Sequence, residues 1–482
     1  MWTCLNNPDN KICDVVICTA PWTDTKLPLM APAALKPIVE KAGLSCLAVD
    51  LNMEVVNATV KHNDTDKFVK FFFDEVVDLD IEEELLEWFI KIAEGIVSFK
   101  PKWVGISLLS YACQNSTKWI AYFVKKLDPN IKIMVGGAGC LATFTGPSPW
   151  IEDMFSQQLI DYHIRGDAEN SLYELLTGNT QHNGINSPTW TQLTMEDLSI
   201  IPAPDYSDYD FKIYEISTLP IIGSRGCVRQ CTFCDYIANW KKFQWRTADH
   251  IFDEMLLQNK KYNIRNFKFQ DALINGNLKE FKQLTNLLSE YNDANPNNSF
   301  KWSSFYIFRE VTTSSETDWD LIARSGADSL LVGIENFNEH IRYAMGKKFS
   351  NSSIDFHIKQ AQKYQISLVL GNIVGYINET EEDIEFIKEW LRTHTQYADV
   401  IKLQWGGTLG IFPNTHLEQN KSKLGIIMIG NSPQHWTTET NKSTPAVRAR
   451  WVNELAKLSR QLGYVTFDNI DNHFILEKMM NE

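Results

Sequence analysis

No stretch of 18 consecutive apolar residues occurs in the 482 residues of this chain, so no membrane-spanning helix is expected. The first eight residues, Met1 to Pro8, have neither a basic opening nor an apolar core and do not read as a signal peptide. Positive charge is in deficit: 46 Lys and Arg against 60 Asp and Glu leave a net charge of −14. No general phosphate-binding surface follows from that balance, and nucleic acid is not an expected partner. Nine cysteines, odd in number and irregular in spacing, argue against a disulfide framework and for reduced thiols in a cytoplasmic setting. Ten histidines show no metal-ligand pairing. No cysteine follows Cys234, so the remaining 248 residues offer no further thiolate.

Against that background, three cysteines stand together: Cys227, Cys231 and Cys234, spaced C-x3-C-x2-C. A closed zinc site wants four ligands, often two C-x2-C pairs; no second pair exists here, and a His would have to complete the set. Three thiolates can instead hold three irons of a [4Fe–4S] cluster and leave the fourth iron open for chemistry. The motif follows the apolar run Leu219–Ile222 and reads as a loop leaving a strand. Most of the other six cysteines lie in apolar runs, where buried free thiols are expected.

Hydrophobic patterning divides the chain. Residues 1–185 alternate short apolar runs with helical stretches, as in a parallel α/β sheet. Strands are expected at Asp14–Thr19, Ser45–Leu51, Trp103–Leu109, Ile131–Gly137 and Tyr162–Gly166, with ligands beyond their carboxyl ends. Asn52–Lys100 reads as a largely helical insertion, because Leu85, Leu86, Phe89, Ile92 and Ile96 recur at three and four; Phe71–Phe73 read as core. Residues 186–218 read as a linker. Six further strands are expected at Leu219–Arg225, Asn266–Ala272, Trp302–Ile307, Asp328–Ile334, Ser367–Ile373 and Asp399–Gln404, with helices between them. Six β/α units are too few for a closed eight-stranded barrel and suit an open one. Residues 416–482 read as a small extension ending in an amphipathic helix, Ala446–Gly463, with Val447, Trp451, Leu455 and Leu458 on its apolar face.

The cysteine motif, with Phe233 beside Cys234, resembles the C-x3-C-x-aromatic-C signature of the radical SAM superfamily. Further segments resemble landmarks of the same superfamily at the ends of predicted strands. These are Phe267–Asp271 for F-x-F-x-D, Gly333–Asn336 for G-I-E-S with Asn in place of Ser, Gly371–Thr380 for G-x-P-G-E-T with Gly375, Glu379 and Thr380 kept and the proline lost, and Met345–Lys347 for M-x-K. Taken singly, Asp271 could equally cap a helix, Glu335 could pair with Arg342, and the glycines could serve turns. By resemblance, the three cysteines hold the cluster. Phe233, Tyr236, Asp271, Glu335, Gly371, Ile373 and Gly375 would line the pocket for S-adenosylmethionine (SAM). Asp271 would lie near its amino group, Glu335 near the ribose, and Gly371 to Gly375 near the adenine.

The N-terminal part resembles the cobalamin-binding domain that precedes the barrel in a large radical SAM subfamily. Leu29–Leu35, Lys41–Gly43, Val49–Asn52, Val104–Ser107, Val135–Gly137 and Ile164–Glu169 carry the likeness. It implies cobalamin contacts at Ser107, Ser110, Gly136, Gly137 and Gly166. No D-x-H-x-x-G stretch follows the first strand, so no histidine ligand to cobalt is offered. The implied architecture is a doubly wound, Rossmann-like α/β cobalamin domain (1–185), a linker (186–218), a partial (β/α)6 radical SAM barrel (219–415) and a small helical extension (416–482). The implied activity is reductive cleavage of SAM and methylation of an unactivated carbon through cobalamin, with a small-molecule or peptide substrate and an electron donor such as flavodoxin or ferredoxin. A cobalamin-dependent cyclase or rearrangement enzyme is the alternative. A methylthiotransferase, which needs a second cluster on three N-terminal cysteines, is a further one; Cys18, Cys46 and Cys113 are available for it.

Overall fold

A computed structural model of the chain describes residues 5–23, 27–53, 79–140, 149–186, 197–214, 217–239, 242–430, 432–439 and 443–467. Phe71–Phe73, the first part of the insertion (54–78) and Cys4 lie outside them. The chain forms two compact units, Met1–Pro220 and Ile221–Glu482.

In the first unit, apolar runs that a two-sided sheet demands become five parallel strands. They are β1 (Val15–Thr19), β2 (Cys46–Asp50), β3 (Trp103–Ser107), β4 (Lys132–Gly136) and β5 (Tyr162–Ile164), in spatial order β2-β1-β3-β4-β5. Every residue of β1 is buried, as expected of a strand covered on both faces. One cover is the helix Leu79–Ser98, whose Phe89, Ile92 and Ile96 are fully buried together with Ile120 and Val124 of the helix Gln114–Leu127. The other uses Ile38 and Val39 of the helix Met30–Lys41 and Leu172 and Leu175 of the helix Ala168–Leu176. All five expected strands are present, to within two residues at each end. The strand order reverses between β1 and β3, which places the ligand crevice of such folds beyond those two carboxyl ends.

The described part of the expected linker is tied to this unit. The Lys36 ammonium reaches Asp208 at 2.6 Å and Ser207 Oγ at 2.8 Å, and Asp208 also accepts from the Ala48 amide. The Tyr214 hydroxyl donates to the buried Asp50, which also accepts from Thr19 and from the amides of Leu29 and Asn52.

At the boundary between the units in sequence, β6 (Thr218–Ile221) begins the seven-stranded sheet of the second. A two-stranded hairpin, β7 (Ser224–Arg225) and β8 (Gln244–Trp245), follows it. The sheet continues with β9 (Asn266–Phe269), β10 (Lys301–Phe305), β11 (Ala327–Glu335), β12 (Ser367–Val374) and β13 (Ile401–Thr408). A small hairpin, β14 (Ile426–Met428) with β15 (Trp436–Thr438), precedes the last strand, β16 (Val465–Phe467). Order in space follows order in sequence from β6 to β13, with β16 beyond β13. One face, carrying Trp302, Leu330, Leu368 and Leu403, is buried under helices; the other, carrying Ser303, Leu331, Gly371 and Gln404, is only half-buried. That alternation follows from the two-residue period of a strand, and it marks the second face as the lumen of an open barrel.

Two expectations change here. The run Leu219–Arg225 is not one strand: β6 stops at Ile221, because Gly223 and Ser224 turn toward Asp271. The C-terminal extension also adds a seventh strand, since β16 pairs in parallel with β13. Its helix, Pro445–Gln461, buries Trp451 and Leu455 as expected, but the stripe passes through Arg448 instead of Val447.

Replacing Lys36 by Met leaves Asp208 half-buried without its cation. A loss of about 3 kcal/mol is expected, the usual consequence of breaking a buried pair from one side. Urea unfolding measures it, and a loss below ~1 kcal/mol would reduce the pair to a surface contact.

Candidate functional site

The cysteine loop leaves β6 at the carboxyl end of the sheet and has almost no regular structure of its own, so its shape depends on what pins it. From one side it is held by Asp271, which follows β9 and is 2% exposed. The two carboxylate oxygens accept from the Gly223 amide and the Ser224 hydroxyl, each at 2.7 Å. Arg246 adds a second clamp: its amide donates to Gly223 O, its guanidinium to Ile222 O, and it is paired with Glu254 at 2.7 Å, both side chains 4% exposed. Inside the loop, the Gly226 amide donates to the Tyr236 hydroxyl at 3.3 Å. Gly226 has φ +81, and a Cβ there would lie 2.3 Å from Lys242 O, so glycine is required on both counts.

From the other side the loop rests on Met345–Lys347. The Thr232 amide donates to Met345 O at 3.1 Å, and the Thr232 hydroxyl meets the Tyr376 hydroxyl at 2.9 Å. Gly346 is approached so closely that a Cβ would sit 3.1 Å from Gln230 O and 3.2 Å from Cys231 Cα. Phe233 and Ile373 pack with Met345 and Tyr376 in one apolar cluster. Lys347 then extends to Glu335, Nζ to Oε1 2.9 Å, with both side chains largely buried. Glu335 therefore pairs with Lys347 and not with Arg342. The Arg342 guanidinium is fully buried and occupied by the carbonyls of Asn336, Phe337 and Phe349 and by Asn351.

The three thiols are free of disulfides; Cys231 is buried and the other two half-buried. Burial pushes all three thiol pKa values up, that of Cys231 to about 11, while Lys347 pulls Cys227 and Cys231 back. The thiols act on one another as well: Cys234 and Cys227 raise Cys231, and Cys227 raises Cys234. Among the described residues no three His, Cys, Asp or Glu side chains are grouped to hold a single metal ion. A four-iron cube makes a different demand, because each thiolate binds its own iron and the three need not converge on one point. Three free thiols on one loop, beside a lysine, match that donor set.

Beside this loop two glycines face the lumen. Gly333 and Gly371 are paired in register on β11 and β12, and a Cβ on Gly371 would meet nothing closer than Gly333 Cα and Val332 O at 3.8 Å. On Gly333 a Cβ would lie 2.3 Å from Glu335 Oε1 and 3.0 Å from Lys347 Nζ, so the ion pair lies across that glycine. Gly375 is different: at φ +85, a Cβ there would run into the Arg448 side chain, so its space is filled by protein. Glu379, 3% exposed, closes the same turn by accepting from the amides of Gly375 and Tyr376 and from Asn336 Nδ2. The Asn at 336, where the resemblance has Ser, thus supplies an amide donor to that turn. Sequence reasoning missed Lys347 as a partner of Glu335, and Glu379 and Arg448 as the residues that shape the loop after β12. Lys347 was legible only as part of M-x-K, and Arg448 carried no signal beyond a charge on an apolar stripe.

In the first unit, Ser107, Ser110, Gly136 and Gly137 come together at the carboxyl ends of β3 and β4. Gly137 has φ +100, and a Cβ there would lie 2.3 Å from Leu108 O; one on Gly139 would lie 2.1 Å from Ser110 O. Two loops are therefore pressed together backbone to backbone, leaving Leu109 and Tyr111 more than half exposed beside Ser110. Gly166, φ +70, is exposed just after β5. His163 is buried within β5, and burial, aided by Arg165, lowers its pKa to about 4. Cys18 is enclosed in β1, where burial pushes its thiol up to about 12.

Burial raises both Asp271 and Glu379 to about 7, against the pull of their hydrogen-bond donors. In the unfolded chain both ionise near 4. Between about pH 4 and 7 the folded state binds more protons, so these two groups make stability fall as pH rises through that window. The Asp271→Asn, Glu379→Gln double variant should lose stability less steeply there than the parent, as measured by urea midpoints from pH 4 to 8. Parallel curves would show that burial does not set these two ionisations.

Residues 221–391 match the model of the radical SAM superfamily. An uncharacterized methyltransferase of Pyrococcus horikoshii is 24% identical over 376 residues, 73% of this chain and 78% of that one. Among solved structures, the radical SAM methyltransferase TsrM of Kitasatospora setae superposes with a TM-score of 0.62 at 14% identity, covering 93% of this chain and 89% of its own. The cobalamin-dependent SAM radical enzyme OxsB superposes at 0.59 and 14%, covering 90% of this chain and 64% of its own. The cysteine loop, Asp271, Glu335 and the glycine pair all lie inside the matched segment: the chain carries a radical SAM domain over residues 221–391 and shares its fold with TsrM and OxsB.

Proposed function

We propose that this chain is a cobalamin-dependent radical SAM methyltransferase acting on an unactivated carbon of a small-molecule or peptide substrate. The observation that carries the reading is the three-cysteine loop, seated on Met345–Lys347 beside the glycine pair Gly333–Gly371. Support for the cobalamin half comes from the relatives: TsrM has been solved with cobalamin and a [4Fe–4S] cluster, and OxsB with aqua-cobalamin.

When bound, the cluster and SAM supply a one-electron reductive cleavage that activates a carbon–hydrogen bond, and cobalamin supplies the methyl group. The chain's own contribution is positional. Cys227, Cys231 and Cys234 hold the cluster, and Asp271, Arg246 and Gly346 keep the loop that bears them in one shape. Phe233, Tyr236, Glu335, Gly371 and Ile373 frame SAM, Gly371 giving its flat base close access to the backbone. Asp271 and Gly375 serve that pocket through the loops they fix. Ser107, Ser110, Gly136, Gly137 and Gly166 form the cobalamin edge of the first unit, where a macrocycle would meet strand ends. Its electron would come from a carrier such as a flavodoxin or ferredoxin, and a cytoplasmic site fits an oxygen-sensitive cluster.

Anaerobic reconstitution should give about four irons per chain and conversion of SAM to 5′-deoxyadenosine. Cys227→Ala, Cys231→Ala and Cys234→Ala should each abolish that cleavage while the circular dichroism spectrum is kept; cleavage at the parent rate by any one of them rejects the site. Mass spectrometry of products from the gene's own metabolic context should show a gain of one methylene unit. A product without that gain would replace methylation by cyclisation or rearrangement.

Cobalamin should be retained at micromolar concentration without a histidine nitrogen on cobalt, because His163 is locked inside β5 and no D-x-H-x-x-G loop follows β1. Electron paramagnetic resonance of the cob(II)alamin state reads this directly. Nitrogen superhyperfine splitting from a histidine would refute the ligand claim, and failure to retain the cofactor would refute the role of the first unit.

A further inference from the structure

Three features of the chain converge on a single ammonium group. Glu335 ends β11 with φ +64, a left-handed conformation that a residue with a side chain rarely adopts, and the register with β12 slips between Gly333 and Glu335. Gly333 lacks the Cβ that would collide with both members of the ion pair. Gly346 lets the cysteine loop lie directly on the segment that carries Lys347. Together they hold Lys347 Nζ at 2.9 Å from Glu335 Oε1, with the two side chains 15% and 13% exposed, and within electrostatic reach of Cys227 and Cys231. Strained backbone of this kind persists where the surroundings over-determine it.

We propose that Lys347, aimed by Glu335, is the fixed positive charge that sets how readily the cluster accepts its electron. The inference rests on the reading that the three cysteines hold a [4Fe–4S] cluster. Reduction takes one electron from an external donor and adds one negative charge to a site already bearing three thiolates. A cation held in a poorly hydrated position stabilises that added charge far more than a surface lysine does. The carboxylate of Glu335 opposes it, so the pair is a balance: Lys347 raises the potential, and Glu335 both lowers it and keeps Lys347 in place. Glu335 is in this sense a positioning residue whose own charge is felt.

The test is a potentiometric titration of the reconstituted full chain without SAM, followed by electron paramagnetic resonance of the reduced cluster. Lys347→Met should move the midpoint to a more negative potential and Glu335→Gln to a more positive one. Lys347→Arg, which keeps the charge, should stay near the parent. Opposite signs from two substitutions in one contact are not expected of a purely structural pair, which would move both variants alike or neither. Equal midpoints in the parent, Lys347→Met and Glu335→Gln overturn the proposal, as does a shift of both in the same direction. If Lys347→Met fails to assemble a cluster, Glu335→Gln decides alone, and the absence of a positive shift there overturns it. A parent chain that binds no iron would instead sink the cluster reading beneath it.

Discussion

Everything in the second unit depends on holding one nearly structureless loop at a fixed height above the sheet. A cluster ligand carried by a free loop would sample many positions, and reconstituting a cubic cofactor would then have to pay for the lost conformational entropy. Here the ordering is done in advance from two directions. The Asp271 carboxylate and the Arg246–Glu254 pair fix the loop where it leaves β6. Met345 O, Gly346 and Tyr376 support it where the cysteines lie. Asp271, Met345–Lys347 and Tyr376 all come from segments that follow strands of the seven-stranded sheet, so the loop takes much of its position from that sheet and not from its own sequence.

That division of labour explains what could be read from the sequence and what could not. The strands were legible because an α/β layer needs apolar runs of a certain length, and β1 to β5 and β9 to β13 obey that need to within four residues at each end. The cysteines were legible because thiolate spacing is itself chemistry. Tertiary partners were not. Asp271 reads equally well as a helix cap or a ligand contact; only the turn at Gly223 shows that its oxygens face the loop. Glu335 has two basic candidates nearby in sequence, Arg342 and Lys347. The choice between them is made by the left-handed turn at Glu335, which sequence patterning does not report for a non-glycine residue. The strand β16 escaped notice because three residues at the edge of a sheet leave too short a pattern to distinguish from a loop.

The glycines separate into two kinds once the atoms around them are known. Gly137, Gly226 and Gly375 have positive φ and would collide with backbone or with the Arg448 side chain, so glycine is explained by packing. Gly371 has neither reason: its backbone is ordinary strand, and a Cβ there would make only ordinary contacts, at 3.8 Å. A strand interior gains nothing from glycine, which packs poorly and loses the most entropy on folding. A glycine that the protein itself does not need, on the lumen face and in register with Gly333, is therefore the better indicator of a bound group than the glycines of the turns.

Arg448 shows how far the support extends. Its guanidinium is fully buried, lies 3.9 Å from the centre of the Trp436 ring, and donates to the carbonyls of Ser443, Gln434 and Trp436. Burial pulls its pKa down to about 9, yet at neutral pH it remains a cation solvated by backbone dipoles. Its side chain occupies the space that makes Gly375 obligatory, and Gly375 in turn donates to Glu379, which holds Asn336, the residue after Glu335. A residue in the C-terminal helix is thereby linked by direct contacts to the turn that aims the Glu335–Lys347 pair. The C-terminal segment is thus a structural part of the candidate site as well as of the sheet, since β16 and Arg448 belong to the same short stretch of chain.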